Sequence, residues 1–187
     1  MLLVRLCYLY FLFVIAKIRY WGRVCFRGFT VVYAFPESSI EFVGEGITIN
    51  SHPLSNLVGL SQRTILVARY GGQISIGANT GISGSTIYAM DRITIGRDVL
   101  IGGNCKIIDN DFHPLRAEQR NPQKVEDIKK RPIVIGDGCF IGANSIILKG
   151  TTLGKNCVVG AGSVVSGTFP DNVIIAGNPA KIVKQNL

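Results

Sequence analysis

The sequence predicts an all-β fold, a parallel β-helix built from six-residue repeats. An aliphatic residue recurs every six positions, a glycine usually follows it, and a small or β-branched residue usually stands two positions before it. This period fits neither an amphipathic helix nor a simple alternating strand. Short strands that cannot each bury an apolar face alone are expected to stack on one another. The positions are Ile76, Ile82 and Tyr88, then after one extra residue Ile95, Ile101 and Ile107, and after a break Ile135, Ile141, Ile147, Leu153, Val159 and Val165. Eleven of these twelve residues are Ile, Leu or Val.

The residues that flank each repeat position indicate corners and a narrow interior. Glycine lacks a Cβ and therefore suits a corner where the backbone turns closely against its neighbours. The positions two residues before the repeat residue are expected to face inward with it. They are Ile74, Thr80, Thr86, Ile93, Val99, Cys105, Ile133, Cys139, Ser145, Thr151, Cys157 and Ser163.

Residues 1–28 form a segment apart from the repeats, and we predict an apolar helix within it. Met1 to Ile18 is apolar except for Arg5 and Lys17, and aromatic and basic residues follow. The run is somewhat shorter than the ~20 residues that a membrane-spanning helix needs, whereas basic and aromatic residues suit a membrane interface. Three alternatives stay open: attachment to a membrane surface, packing on the protein or on a neighbouring subunit, and true spanning.

Residues 29–187 are predicted to form one β-helix domain. Irregular coils are expected at 30–69 and regular coils at 70–108 and 133–165, followed by a C-terminal tail. Between the two regular stretches the repeat stops, and residues 109–132 form a polar, basic excursion. A loop of this length inside a compact repeat is usually functional or disordered.

Composition narrows the class of partner and the chemistry of the cysteines. The net charge of +8 over 187 residues favours an anionic ligand or a membrane surface. No nucleic-acid-binding motif occurs, so a nucleic-acid partner is not expected. Three of the five cysteines share one repeat position and none lies in a CxxC pair. We therefore expect reduced cysteines that fill the core, no metal site and a cytoplasmic location.

Three motifs resemble those of the hexapeptide-repeat acyltransferases, and in particular of sugar O-acetyltransferases from polysaccharide pathways. They are Asp109–Pro114, Gly160–Val165 and Ala176–Lys181. The resemblance covers residues 74–184 and implies a left-handed β-helix of triangular section. It further implies acetyl-CoA as co-substrate, a sugar or glycan acceptor from a surface or capsular polysaccharide pathway, and a homotrimer whose active sites lie between adjacent prisms.

The resemblance implies that His113, which precedes a proline in the excursion, is the catalytic residue. Acetyl transfer to a hydroxyl needs a base, and neutral imidazole accepts a proton at physiological pH. Asp109 or Asp111 is predicted to accept a hydrogen bond from the other ring nitrogen and so to orient the imidazole. For both aspartates a local turn role stays equally open.

The same resemblance assigns residues to coenzyme A and, less directly, to the acceptor. The predicted coenzyme A positions lie on the later coils: Ala143, Ala161, Ser166, Lys181 and Lys184. Gly167 departs from relatives that carry lysine or arginine there, so one phosphate contact is either missing or supplied elsewhere. For the acceptor, Ser83 and Ser85 are the predicted contacts.

Two other functions on this fold stay open. One is N-acetylation of an amino sugar, and the other is a catalytically silent scaffold. A zinc-dependent hydratase on this fold uses three histidines. This chain has only two, which argues against hydratase chemistry. The acceptor sugar, the modified hydroxyl and the acyl-chain length also stay open at this point.

Overall fold

The computed structural model describes residues 17–186, and they form a parallel β-helix with three faces. The first face contains β1 (Lys17–Trp21), β4 (Ser39–Val43), β7 (Gln73–Gly77), β10 (Arg92–Ile95), β13 (Ile133–Ile135), β16 (Thr152–Leu153) and β19 (Thr168–Phe169). The second face contains β2 (Val24–Arg27), β5 (Ile47–Asn50), β8 (Gly81–Ser83), β11 (Leu100–Ile101), β14 (Phe140–Ile141), β17 (Val158–Val159), β20 (Val173–Gly177) and β21 (Ala180–Gln185). The third face contains β3 (Val31–Ala34), β6 (Ile65–Ala68), β9 (Thr86–Ala89), β12 (Lys106–Ile108), β15 (Ile146–Leu148) and β18 (Val164–Val165).

The coils stack in register, which confirms the predicted parallel β-helix. Leu153 pairs with Ile135, Val159 with Ile141 and Val165 with Ile147, so three six-residue repeats make one coil. All pairs of neighbouring strands in the described chain are parallel except β20 with β21, where the tail folds back on the second face. The inward residues form one continuous apolar core along the prism axis.

The corners between faces need residues without bulk. A Cβ at Gly136 would lie 2.6 Å from the carbonyl oxygen of Gly154 on the next coil. Stacked coils lie one strand spacing apart, about 4.8 Å, so neither corner can move aside for a side chain. The glycines of the repeat are therefore required by close backbone approach.

Small polar residues at the interior corners link successive coils. The Ser145 hydroxyl donates to the Gly160 carbonyl at 3.1 Å, and the Cys139 thiol donates to the Gly154 carbonyl at 3.1 Å. Cys105 and Cys157 occupy equivalent buried positions, and all three are free thiols, as is exposed Cys25. Burial raises the pKa of the Cys139 thiol to about 12. Cys105, Cys139 and Cys157 fill the core as predicted, exposed Cys25 does not, and Cys7 lies outside the described residues.

The repeat phase at β9 differs from the sequence prediction. Ile87 faces the core and pairs with Ile107, whereas Tyr88 faces outward. Ser85, fully buried, takes the interior corner position that we assigned to Thr86. Burying a tyrosine hydroxyl among aliphatic side chains is costly, and the observed phase buries Ile87 and leaves the Tyr88 ring partly exposed.

The predicted N-terminal helix is not supported, and the boundary at residue 28 is wrong. Within residues 17–186 the only helical segments are three 3₁₀ turns, at Pro53–Ser55, Ala117–Gln119 and Val125–Asp127. β1 pairs in parallel with β4, and β2 with β5, so the β-helix already includes residues 17–27. The alternation of half-buried Val24 and Phe26 with exposed Cys25 and Arg27 is the strand pattern that the apolar composition concealed. Residues 1–16 of the predicted helix lie outside the described residues.

The early coils are more regular than predicted, since β3 and β6 pair in full register on the third face. Among residues 17–186 no helix has the length and apolarity to cross a membrane.

Candidate functional site

The excursion at residues 109–132 leaves the third face after β12 and returns at β13, as predicted. Its base is closed by main-chain hydrogen bonds, from Arg131 N–H to the Asp109 carbonyl at 2.9 Å and from Asp111 N–H to the Lys129 carbonyl at 3.0 Å. The Lys130 ammonium donates to the Met90 carbonyl on the preceding coil at 3.0 Å. The loop is therefore anchored to the prism where the candidate catalytic residue emerges.

Asp109 anchors this base and does not contact the histidine, which contradicts one of its two predicted roles. Its carboxylate is fully buried and accepts from the main-chain N–H groups of Met90 and Asp91, both at 2.8 Å, and from the Asn110 side chain at 3.0 Å. Burial raises the pKa of the Asp109 carboxyl above its usual range, although these three donors act in the opposite direction. The alternative of a local turn role describes Asp109.

A tight turn presents His113 at the surface. The His113 N–H donates to the Asp111 carbonyl at 2.6 Å, across Phe112, whose φ is +59°. Such a three-residue turn with positive φ is strained for a residue with a side chain. The Phe112 N–H donates to the Asn110 side chain at 2.9 Å, and its ring packs edge-to-face on Tyr88 with centroids 4.8 Å apart. These contacts hold the turn in place.

The orienting partner of the His113 ring is Gln123, which the sequence analysis missed. His113 Nδ1 lies 2.7 Å from Gln123 Oε1, and Gln123 Nε2 donates to the Phe112 carbonyl at 3.2 Å. Because the amide nitrogen is engaged by a carbonyl, the amide oxygen faces the ring and Nδ1 must be the protonated nitrogen. In the neutral ring the lone pair of Nε2 then has no donor among residues 17–186, and the side chain is exposed.

Asp111, the other predicted orienting residue, pairs with Lys149 instead. The Lys149 ammonium and Asp111 Oδ1 form an ion pair whose side chains are 28% and 18% exposed. Lys149 follows β15, one coil beyond the loop, so this pair ties the turn before His113 to the next coil. Asp111 Oδ2 is buried and has no hydrogen-bond partner in the part of the chain that the structure describes. The structure thus places both aspartates in the support of the loop and neither on the imidazole.

Three predicted coenzyme A residues come together at the corner between the second and third faces. Ala143 and Ala161 lie on successive coils there, linked by the hydrogen bond from Gly162 N–H to the Ala143 carbonyl at 2.9 Å. Lys181 pairs with Ala176, which lies beside Gly160 at the same corner. Ala161 and Lys181 are exposed, and a Cβ added at Gly162 would meet open space.

The other two predicted coenzyme A residues lie apart from this corner. Exposed Ser166 follows β18 at the opposite edge of the third face, the edge from which the histidine loop leaves. Lys184, also exposed, lies farther along β21, opposite Ile174. A Cβ at Gly167 would meet nothing within 4 Å, so the prism leaves room where relatives are expected to carry a basic side chain.

The two predicted acceptor residues differ in their access. Ser85 is fully buried, and its hydroxyl donates to the Gly102 carbonyl at 2.9 Å, so it cannot contact an acceptor. This prediction is wrong because the phase shift at β9 turns Ser85 into the core. Ser83 is nearly buried, and its hydroxyl accepts from the side chains of Asn50 at 3.1 Å and Asn56 at 2.9 Å.

The remaining histidine, His52, serves a turn. His52 Nδ1 accepts from the Leu54 N–H at 3.2 Å and caps the short 3₁₀ turn that follows. Within residues 17–186 no group of three or more His, Cys, Asp or Glu side chains is placed to hold a metal ion.

Comparison with known proteins places this geometry in a family. A model for the hexapeptide repeat of succinyl-transferase matches residues 92–107 and 132–166, on either side of the excursion. A galactoside O-acetyltransferase from Escherichia coli is 36% identical over 117 residues, which cover 62% of this chain and 56% of that protein. A Mycobacterium tuberculosis protein described as a probable acetyltransferase is 30% identical over 181 residues, covering 89% of this chain and 56% of that one.

A solved structure agrees with the fold. A galactoside acetyltransferase in complex with coenzyme A is 34% identical and superposes with a TM-score of 0.59, covering 65% of this chain and 60% of that one. The chain thus spans little more than half the length of the curated relatives it matches.

Proposed function

Because the chain belongs to the hexapeptide-repeat acyltransferase family, we propose that it transfers the acetyl group of acetyl-CoA to a hydroxyl of a sugar. The observation that carries this proposal is the His113 imidazole, exposed and held by Gln123 with Nε2 free. A general base needs this arrangement, one fixed nitrogen and one available lone pair.

The proposed reaction is a single displacement at the thioester. Nε2 of His113 removes the proton of the acceptor hydroxyl while the hydroxyl oxygen attacks the thioester carbonyl. The tetrahedral intermediate collapses by breaking the carbon–sulfur bond, and the coenzyme A sulfur takes the proton back from the imidazolium. The products are an O-acetylated sugar and free coenzyme A. Gln123 keeps the ring orientation through both proton transfers because its oxygen accepts from Nδ1–H in either state.

The small-residue corner fits the pantetheine arm of acetyl-CoA. The side chains of Ala143 and Ala161 are short, the backbone is accessible beside them, and Lys181 supplies a cation for a phosphate. The histidine loop and Ser166 lie at the opposite edge of the third face. A cofactor that contacts both edges therefore needs two prisms, which supports a homotrimer with one site at each interface.

For the acceptor, we propose a glycan of a surface or capsular polysaccharide pathway, reached from the cytoplasmic face of a membrane. Residues 1–16 carry the apolar run that favours membrane attachment, and exposed Arg23 and Arg27 follow it. Removal of residues 1–16 preserves β1, so the prism and the site should persist while binding to anionic vesicles is lost. If the full-length chain does not bind such vesicles at low salt, the attachment fails and subunit packing becomes the better account.

The decisive test compares wild-type protein with His113→Ala, using radiolabelled acetyl-CoA and a panel of sugars and amino sugars. The variant should lower the maximal rate by about 10²–10⁴ and leave coenzyme A binding unchanged. Undiminished transfer by a folded variant would remove His113 from catalysis. Exclusive acetylation of amines would replace the hydroxyl acceptor, and absence of transfer from the wild type to every acceptor would favour a silent scaffold.

A further inference from the structure

The edge between the third and first faces carries an arginine whose side chain has no hydrogen-bonding partner among the described residues. Arg69 follows β6, and its guanidinium carbon lies 4.7 Å from the ring centroid of Phe35 and 4.5 Å from that of Tyr70. Within residues 17–186 its side chain makes no hydrogen bond or ion pair, and its Nε is buried without an acceptor. Nε itself is out of reach of a ligand, but the two terminal nitrogens are not among the buried atoms and have no acceptor within residues 17–186, so they can bind an external one.

The geometry around Arg69 is fixed on both sides. Phe35 packs edge-to-face on Tyr33 with centroids 4.3 Å apart, which limits movement of the ring beneath the guanidinium. Tyr70 adopts a φ of +54° and remains 42% exposed. A non-glycine residue in this conformation is uncommon, and such strain concentrates at ligand-binding sites. An arginine stacked on aromatic faces loses little side-chain entropy when it binds, because its planar group is already positioned.

This arginine lies on the same edge as the histidine loop. The third face runs in the order β6, β9, β12, so Arg69 and the start of the loop are two strands apart, about 10 Å. On the coil between them, the Lys130 ammonium rests on the Met90 carbonyl. Across the described chain no carboxylate lies within 4.0 Å of either Arg69 or Lys130. Glu37 and Asp91 occur on the flanking turns but form no ion pair with them.

We propose that Arg69 and Lys130, here called the basic edge, bind anionic groups of an extended acceptor while one of its hydroxyls reaches His113. The assignment to an acceptor rests on the proposed function, since the coenzyme A positions lie beyond the loop and leave this side free. The shared chemistry is a carboxylate or a phosphate, both of which accept paired hydrogen bonds from a guanidinium. The acceptor class is therefore an acidic glycan, with its charge carried on sugar carboxylates or on phosphodiester links.

The test measures binding of defined oligomers to the full-length protein by calorimetry at about 0.15 M salt, where exposed charges more than about 8 Å apart are largely screened. The probes are an oligogalacturonate, a glycerol-phosphate oligomer and a neutral malto-oligosaccharide of equal length. Wild-type protein should bind at least one anionic oligomer about tenfold or more tightly than the neutral one. Arg69→Met should weaken that binding by about ten- to a hundredfold, the effect of a hydrogen bond to a charged group. The preferred oligomer distinguishes carboxylate from phosphate.

Arg63→Met is the matched control. Arg63 also stacks on an aromatic ring, with its guanidinium carbon 4.8 Å from the Phe29 centroid, but it precedes β6 and lies at the opposite edge of the third face. The same loss of charge there should change the affinity for the anionic oligomer less than about twofold, because salt screens a charge this far from the bound anion. Equal losses in the two variants would reduce the effect to net charge and overturn a specific site.

Two further outcomes overturn the basic edge. One is wild-type protein that binds the anionic and neutral oligomers equally. The other is a changed molecular mass of the Arg69→Met assembly in analytical ultracentrifugation, which would show that Arg69 and its aromatic neighbours form a contact between subunits. Because binding is read without turnover, the result is separate from the proposed reaction: His113→Ala should retain anionic binding in full. If acetyl transfer fails while Arg69-dependent binding is intact, the proposed reaction is refuted and the proposed anion-binding site is retained.

Discussion

The hydrogen bond between Gln123 and His113 offers the most direct test of the loop geometry. In the Gln123→Ala variant, Nδ1 loses its acceptor and the Phe112 carbonyl loses its donor. The ring is then free to rotate and to exchange its proton between the two nitrogens. The fraction of protein with a free Nε2 aimed outward falls, and the rate should fall with it.

The size of the effect follows from the contact. A hydrogen bond between uncharged groups contributes about 0.5–1.5 kcal/mol net, which corresponds to about a two- to twelvefold change in rate. The bond is short at 2.7 Å, but both side chains are exposed and water competes for them. We therefore expect a loss well below the 10²–10⁴ expected for removal of the base itself. Binding of acetyl-CoA should not change, since Gln123 is not one of the predicted coenzyme A residues.

The assay is the initial rate of acetyl transfer across a range of pH, with Gln123→Glu as the second variant. A carboxylate keeps the acceptor and stabilises the imidazolium, so the acidic limb of its pH–rate profile should move to higher pH. Gln119→Ala is the matched control, because Gln119 lies in the same loop and its amide contacts Asp127 at 3.4 Å. A Gln123→Ala enzyme with unchanged rate and profile, or an equal loss in Gln119→Ala, would refute the orienting role.

Two remaining predictions concern the scaffold. Lys149→Met leaves the Asp111 carboxylate unpaired and should destabilise the protein by about 1–3 kcal/mol while lowering the transfer rate. In denaturant titrations the double variant with Asp111→Asn should lose no more stability than the less stable single variant. Additive losses would show that the two side chains are not coupled. Burial raises the pKa of Cys139 from 9.0 to about 12, so the folded chain keeps this proton after the unfolded chain has lost it, and stability falls as pH rises between these values. At about pH 10 the loss is about 1.4 kcal/mol, and urea titrations of Cys139→Ala should lack it while those of Cys25→Ala retain it.

The sequence predicted the scaffold because the repeat period reports the coil directly. A residue such as Ile147 or Val159 faces the axis whatever occurs elsewhere, since each coil constrains only its neighbours. The error at Tyr88 had a signal, because its hydroxyl is costly to bury among isoleucine and valine side chains. Val24 and Phe26 gave the alternation of a strand, but the apolar run before them dominated the interpretation.

The contacts inside the loop could not be predicted from the repeat. Gln123 is ten residues from His113, and Lys149 is thirty-eight residues from Asp111. The six-residue repeat does not extend into the loop, so it cannot predict which loop residues contact each other or the prism. A histidine beside two aspartates suggested a carboxylate partner. The buried main-chain N–H groups of Met90 and Asp91 bind one carboxylate instead, and Lys149 binds the other.

The separation of the two edges of the third face leads to a test of the shared site. In the proposed trimer, His113 of one subunit acts on acetyl-CoA that rests against the Ala161 corner of its neighbour. His113→Ala removes the base, and Ala161→Trp obstructs the corner without touching the loop. Each variant alone should be inactive, but subunit exchange after mixing them in equal amounts should restore about a quarter of wild-type activity, because random assembly pairs an intact base with an intact corner at that frequency. Recovery requires that the two residues act from different subunits. A mixture that exchanges subunits, shown by tagged chains, and stays inactive would place the whole site within one prism.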